Sequence, residues 1–150
     1  MRFWRPTACR RGPPITGFKL IDAAIEESLR WNPTNPLFSR VALVDPEVAG
    51  TAIPKGAILD ICLGASNRDP ARWENPEVFN LHRPFQQHLG TGLGAHMCLG
   101  RFVAQVEMNV TINQLLDQHP NLRLAPDAPA SYITGGLEQR GVSALHVLLR

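Results

Sequence analysis

No apolar run in this chain approaches the ~18 residues that a membrane-crossing helix needs, so no segment is expected to span a membrane. Cysteine is scarce as well, with only Cys9, Cys62 and Cys98. Three thiols cannot staple a small secreted domain, and with no signal-peptide pattern they predict a reducing, cytoplasmic setting. Acidic residues are missing from the first nineteen positions, which carry Arg2, Arg5, Arg10, Arg11 and Lys19. The formal charge of +2 therefore hides a split, the remainder holding ten basic against thirteen acidic residues. Residues 1–19 show neither helical nor strand periodicity. They read as an irregular, basic, solvated tail, too sparsely charged to predict a nucleic-acid partner. A chain of 150 residues with 44% hydrophobic side chains can form one modest globular domain, placed at residues 20–150.

What is present begins with a helical pattern from Leu20 to Trp31, where Ile21, Ile25 and Leu29 recur at i, i+4 and i+8. Asn32-Pro33 ends it, because proline disfavours helix in the residue before it. Glu27 and Arg30 lie one turn apart and can meet, although Glu26, four residues before Arg30, competes for the same partner. Short apolar runs separated by Pro and Gly follow: Val41 to Val44, Ala52-Ile53 and Ala57 to Leu63. They predict small β-hairpins, with a turn at Pro54-Lys55-Gly56. Cys62, inside the last run, is expected to be a buried small hydrophobe. Asp69-Pro70 has the chemistry of an N-cap and first helical position. His82 and His88, isolated in a Pro-containing stretch, are expected at the surface.

Leu89 to Gly100 reads Leu-Gly-Thr-Gly-Leu-Gly-Ala-His-Met-Cys-Leu-Gly and runs into a long helical pattern, Leu99 to about His119. The glycines at 90, 92 and 94 permit positive φ and close backbone approach. Cys98 then stands at the mouth of the helix, a position that suits a reactive or metal-ligating sulfur. Three other readings compete. Gly90 to Ala95 fits a dinucleotide fingerprint, which needs a preceding strand that the polar Asn80 to His88 segment does not offer. His96 and Cys98 are too few for a structural zinc site. A structural cysteine in a Gly-rich turn remains the plain alternative. In the helix, Leu99, Phe102, Val103, Val106 and Val110 form an apolar stripe widened by Met108, Ile112, Leu115 and Leu116, which expects neighbours on more than one side. The chain closes with turns and a strand pair around Val142 to Leu148, bent at Gly135-Gly136.

Gly92-x-Gly94-x-His96-x-Cys98-Leu99-Gly100 resembles the haem-binding loop of the cytochrome P450 family, and further segments resemble that family in order. These are Glu27-Ser28-Leu29-Arg30, Asn67-Arg68-Asp69-Pro70, and the meander from Trp73 to Pro84. The resemblance runs from near Leu20 to near Leu148. It implies an α+β, mainly α, C-terminal part of the P450 fold: supporting helix, small β-hairpins, meander, cysteine loop, long helix and C-terminal hairpin. It implies haem b, with Cys98 as axial ligand of the iron, a thiolate that pushes electron density toward it. His96 and Arg40 would bind propionates, the latter through its planar fork. Gly92 and Gly94 would hold the tight loop, and Gly100 would let the next helix pack close. Glu27 and Arg30 would support the site with a third polar partner; Val78 stands where many members have an arginine, so Arg83 is the next candidate. Thr91 replaces the phenylalanine that usually lies seven residues before the cysteine and shields the sulfur.

The activity implied is insertion of one oxygen atom of O₂ into a small apolar substrate, with electrons from a ferredoxin- or flavoprotein-type donor. Arg101 and neighbouring basic groups would meet that donor. A complete member is well over twice as long, so the resemblance implies a truncated chain. The distal acid and alcohol and the substrate-contacting loops fall outside it, and Ala49-Gly50-Thr51, read as a turn between strands, is no substitute. No catalytic residue is therefore assigned, and the alternative is a non-catalytic remnant or haem-binding module.

Overall fold

The computed structural model describes residues 18–133 and 139–149. Residues 1–17 and the Gly135-Gly136 bend lie outside them. Helix α1, Phe18–Trp31, begins two residues before the expected start. Ile21 and Ile25 are buried, and Leu29 is half-buried on the same face. Among the described residues the apolar core is small: Ile21, Ile25, Ala42, Leu63 and Trp73. Arg30, Glu27, Asn67 and His88 are buried with it, so the centre is held by hydrogen bonds as much as by apolar contact.

After α1 come β1 (Leu37–Val41), β2 (Glu47–Val48), β3 (Thr51–Ala52) and β4 (Ile58–Cys62). β1 pairs antiparallel with β4, Arg40 opposite Leu59, and the β2–β3 hairpin sits between them in sequence. Its two-residue loop, Ala49-Gly50, has φ of 50° and 77°, the double left-handed geometry that matches strand twist. Gly56 takes φ 87° in a turn closed by the Ala57 amide on the Pro54 carbonyl at 3.0 Å, as its place after Pro54-Lys55 predicts. Two expectations fail here. The first strand lies earlier than Val41–Val44 and contains Arg40, because pairing with β4 selects Leu37–Val41. Cys62 is exposed rather than buried, since β1 and β4 form a two-stranded sheet whose apolar side chains, Phe38, Val41, Ile58 and Ile61 among them, stay open.

A four-residue helix, α2 (Leu63–Ser66), follows β4 directly. Asp69-Pro70 opens one turn, not a helix: the Asp69 carboxylate accepts the Ala71 amide at 2.9 Å, and its carbonyl accepts those of Arg72 and Trp73. The meander then runs to the cysteine loop without strand structure, so the dinucleotide reading lacks its strand. Helix α3, Arg101–Gln118, starts after Gly100. The C-terminal strands form two separate ladders, β5 (Arg123–Leu124) with β8 (Val147–Leu148) and β6 (Ser131–Tyr132) with β7 (Val142–Ala144). The closing strands therefore pair with upstream segments and not with each other.

α3 packs on α1 through its polar side. Asn109 donates to Asp22 at 2.6 Å, and Gln105 donates to Glu26. The predicted apolar stripe faces outward, Leu99 98% and Phe102 72% exposed, with Val103, Val106 and Val110 also open. This corrects the expectation of a helix covered on more than one side: α1 offers carboxylates, and the amides of α3 answer them.

Candidate functional site

α1 places Glu27 and Arg30 on its inner face, 4% and 1% exposed. Arg30 Nε donates to Glu27 Oε2 at 2.7 Å and Nη2 to Oε1 at 2.8 Å. Its remaining donors reach the carbonyls of Asn67, Pro76 and Val78, so all of a guanidinium's N–H groups are used. Arg83 arrives from the meander, with Nε 3.3 Å from both Glu27 oxygens. The Asn80 amide adds a fourth donor at 2.9 Å. Trp73 lies beneath the cluster, with the guanidinium carbons of Arg30 and Arg83 at 5.3 and 6.0 Å from its ring centroid. Burial resists ionisation of Glu27, but the hydrogen bonds from Arg30, Asn80 and Arg83 outweigh it and hold the carboxyl below its ordinary value. Glu26 does not compete for Arg30, because its carboxylate turns to His88 and α3.

The cysteine loop is closed by its own backbone. The Gly92 amide donates to Leu89 at 3.0 Å, Met97 to Gly94 at 3.1 Å, and Cys98 to Thr91 at 2.8 Å. Gly92 and Gly94 have φ of 77° and 64°, and a Cβ on Gly92 would stand 2.8 Å from the His96 carbonyl. Both glycines are thus required by conformation, the first by space as well. Gly94–His96 forms a single 3₁₀ turn. The Cys98 thiol beyond it is free and exposed. Gly100 differs from expectation: a Cβ there would meet only the Cys98 sulfur, at 4.0 Å, so no close helix packing requires it among the described residues.

A sequence model described as Cytochrome P450 matches residues 15–128, which includes both the buried cluster and the loop. The chain belongs to the cytochrome P450 family. It is 42% identical over 106 residues to the biotin biosynthesis cytochrome P450 of Bacillus subtilis, covering 71% of this chain and 27% of that one. To cytochrome P450 105C1 of a Streptomyces species it is 36% identical, covering 93% of this chain and 36% of the relative. The crystal structure of HmtT, involved in himastatin biosynthesis, superposes with a TM-score of 0.82 at 39% identity, covering 87% of this chain and 33% of that chain. The chain thus spans about a third of the length of these P450 relatives, and the partial P450 fold of mixed helix and sheet agrees with the sequence reading.

Membership of the P450 family implies a haem cofactor. The donor set here suits one. Cys98 offers a free, exposed thiol, and His96 is exposed beside it in sequence. Arg40 lies on the exposed side of β1, its Nη1 donating only to the Ser39 carbonyl at 2.8 Å; it forms no ion pair among the described residues. A cation without a carboxylate partner is open to a propionate. By contrast, no group of three or more His, Cys, Asp or Glu side chains gathers among the described residues, so His96 and Cys98 lack companions for a zinc site. Arg101 departs from its expected role. It is 12% exposed and 3.6 Å from Glu26, so this P450-like chain turns it inward, away from any docking partner.

Sequence reasoning missed three positions. His88 is buried, 3% exposed, between Glu26 and the Gly90 amide, against the expectation of a surface histidine; His82 is exposed as expected. Asn67 is buried and accepts the Leu89 amide at 2.7 Å, tying the loop to the turn after α2. Arg68 bonds the Trp31 carbonyl and Glu77 while stacking 4.5 Å over the Trp31 ring, which fixes the end of α1 to the meander. Arg68 and Asn67 lay inside the Asn-Arg-Asp-Pro segment, which was the available signal.

Proposed function

We propose that this chain supplies the thiolate-bearing side of a haem-thiolate monooxygenase site, binding haem b through Cys98. The observation that carries the reading is the free, exposed Cys98 thiol on a loop locked by its backbone and by the positive φ of Gly92 and Gly94. Haem bound there would supply reductive activation of O₂ and insertion of one oxygen atom into a C–H bond. The chain's own residues hold and orient. Arg40 and His96 take the propionates, Gly92 and Gly94 keep the loop tight, and Glu27, Arg30 and Arg83 fix the meander that leads into the loop. Electrons come from a ferredoxin- or flavoprotein-type donor, and the substrate is a small apolar organic molecule.

A second reading, a haem-binding module without turnover, is favoured by the open apolar face of α3. The reduced CO spectrum of the haem-loaded chain tests the first claim: a thiolate-type Soret band is expected, and its loss in Cys98→Ser with helicity retained. A thiolate band without product formation under NAD(P)H-driven electron supply leaves the module reading standing alone. Coordination through another side chain overturns both.

A further inference from the structure

Glu26 and Glu27 are neighbours on α1, yet their carboxylates serve different structures. Glu27 gathers the meander. Glu26 reaches the loop at both of its feet. At the first foot, His88 Nε2 lies 3.0 Å from Glu26 Oε2, and His88 Nδ1 accepts the Gly90 amide at 2.9 Å. An amide can only donate, so Nδ1 carries no proton in this arrangement and Nε2–H is the donor to Glu26. Gly90 itself rests on α1: a Cβ there would stand 2.3 Å from the Leu29 carbonyl and 3.0 Å from His88 Nδ1. At the second foot, Arg101 Nη2 approaches the same Oε2 at 3.6 Å, and Gln105 Nε2 donates to Oε1. The Arg101 amide bonds the Cys98 carbonyl at 3.2 Å, which joins the second foot directly to the cysteine. Between the feet the loop is held by its own backbone bonds, of which Cys98 to Thr91 spans the widest interval, and by the Leu89 amide on Asn67 Oδ1 at 2.7 Å.

Building on the reading of Cys98 as the haem ligand, we infer that Glu26 is a positioning residue. It fastens the start and the end of the cysteine loop to α1 through one carboxylate, so that His88 and Arg101 act on Cys98 as a coupled pair. Two feet held by one group cannot shift independently. A loop fixed at a single end would pivot and carry the sulfur with it. The lowered pKa of Glu26, set chiefly by the His88 hydrogen bond against opposing burial, with Arg101 and Gln105 assisting, agrees with a carboxylate that stays charged.

The test uses the full chain, with hydrogen exchange of the Cys98 amide as the readout, since that amide is protected only while the loop stays closed on Thr91. Glu26→Ala should speed its exchange by about tenfold, a local opening of the loop, while the buried α1 amides keep their protection. Glu26→Gln keeps an acceptor for His88 but sets an amide against Gln105 and Arg101, and should give a smaller increase. His88→Phe and Arg101→Gln should each speed exchange, with a combined effect no larger than that of Glu26→Ala alone, the non-additivity expected of groups acting through one partner. In haem-loaded material the same variants should lower the thiolate-type fraction of the reduced CO spectrum in the same order. Parental exchange at Cys98 in a helical Glu26→Gln or Glu26→Ala chain overturns the inference. So does equal acceleration throughout α1, or strict additivity of His88→Phe and Arg101→Gln. Exchange needs no haem, so a failure of Cys98 to ligate iron would sink the functional reading and leave this one intact.

Discussion

Arg30 and Glu27 meet as a two-pronged pair, Nε to Oε2 at 2.7 Å and Nη2 to Oε1 at 2.8 Å, with both side chains almost fully buried. A pair in this setting is unlike a surface bridge, because removing either partner strands the other charge away from water. Arg30→Ala is expected to cost about 3–5 kcal/mol, and Arg30→Lys a large part of that, since an ammonium cannot reproduce the fork. Urea denaturation followed by circular dichroism measures both; a loss under about 1 kcal/mol for Arg30→Ala, the range of exposed pairs, contradicts the burial argument.

Acid should unfold the chain through the same groups. Glu26 and Glu27 both have carboxyls lowered from the ordinary 4.5 in the folded state. A lowered folded value means that their contribution is complete above the ordinary carboxylate range and is lost as pH falls through it toward the folded values. Denaturation midpoints should therefore be flat near neutrality and fall below about pH 5. Glu27→Gln should show a shallower acid slope than the parent, and an unchanged slope would remove Glu27 from the account.

Two glycines in the loop predict opposite outcomes from the same substitution. Gly90→Ala drives a methyl group into the Leu29 carbonyl, 2.3 Å away and part of the helix backbone, so α1 or the loop must move. Gly94→Ala meets nothing within 4 Å and carries only the strain of φ 64°, about 1–2 kcal/mol. Thermal melts should rank Gly90→Ala as the more damaging, and a reversed order would show that the loop does not rest on Leu29 as described.

Cys98→Ser should leave stability within about 0.5 kcal/mol of the parent, as expected for an exposed side chain without partners. The same change should abolish a thiolate-type spectrum. Measured together, a denaturation curve and a reduced CO spectrum separate a ligand from a structural cysteine; a large stability loss would restore the latter reading.

Replacing Phe102 and Val106 with glutamine should raise the concentration at which the chain stays monomeric in sedimentation, with α3 intact by circular dichroism. Both side chains are exposed on an apolar stripe, and patches of this kind drive association. Loss of helicity instead would mean that the stripe is already covered.

Much of this arrangement was legible because it is local. Ile21, Ile25 and Leu29 declare α1 by spacing, Glu27 and Arg30 are one turn apart, and the loop glycines announce their conformation. The roles of Glu26 and His88 were not legible, because 62 positions separate them and neither carries a local sign of the other. His88 looked like a surface residue for want of a visible partner. Cys62 and the α3 stripe failed for the opposite reason: an apolar neighbourhood in sequence promises burial, but burial needs a second layer, and the two-stranded sheet of β1 and β4 has none on those faces among the described residues. Arg40 precedes the apolar run that begins at Val41, whereas the register with Leu59 sets it inside a strand.

The two sides of α3 respond differently to cold. Its seam with α1 is made of amide and carboxylate contacts such as Asn109 with Asp22, whereas its outer stripe can be held only by water's aversion to hydrocarbon, a force that weakens on cooling. Chilling should therefore weaken association through the outside of the helix more than it weakens the polar contacts of the helix pair.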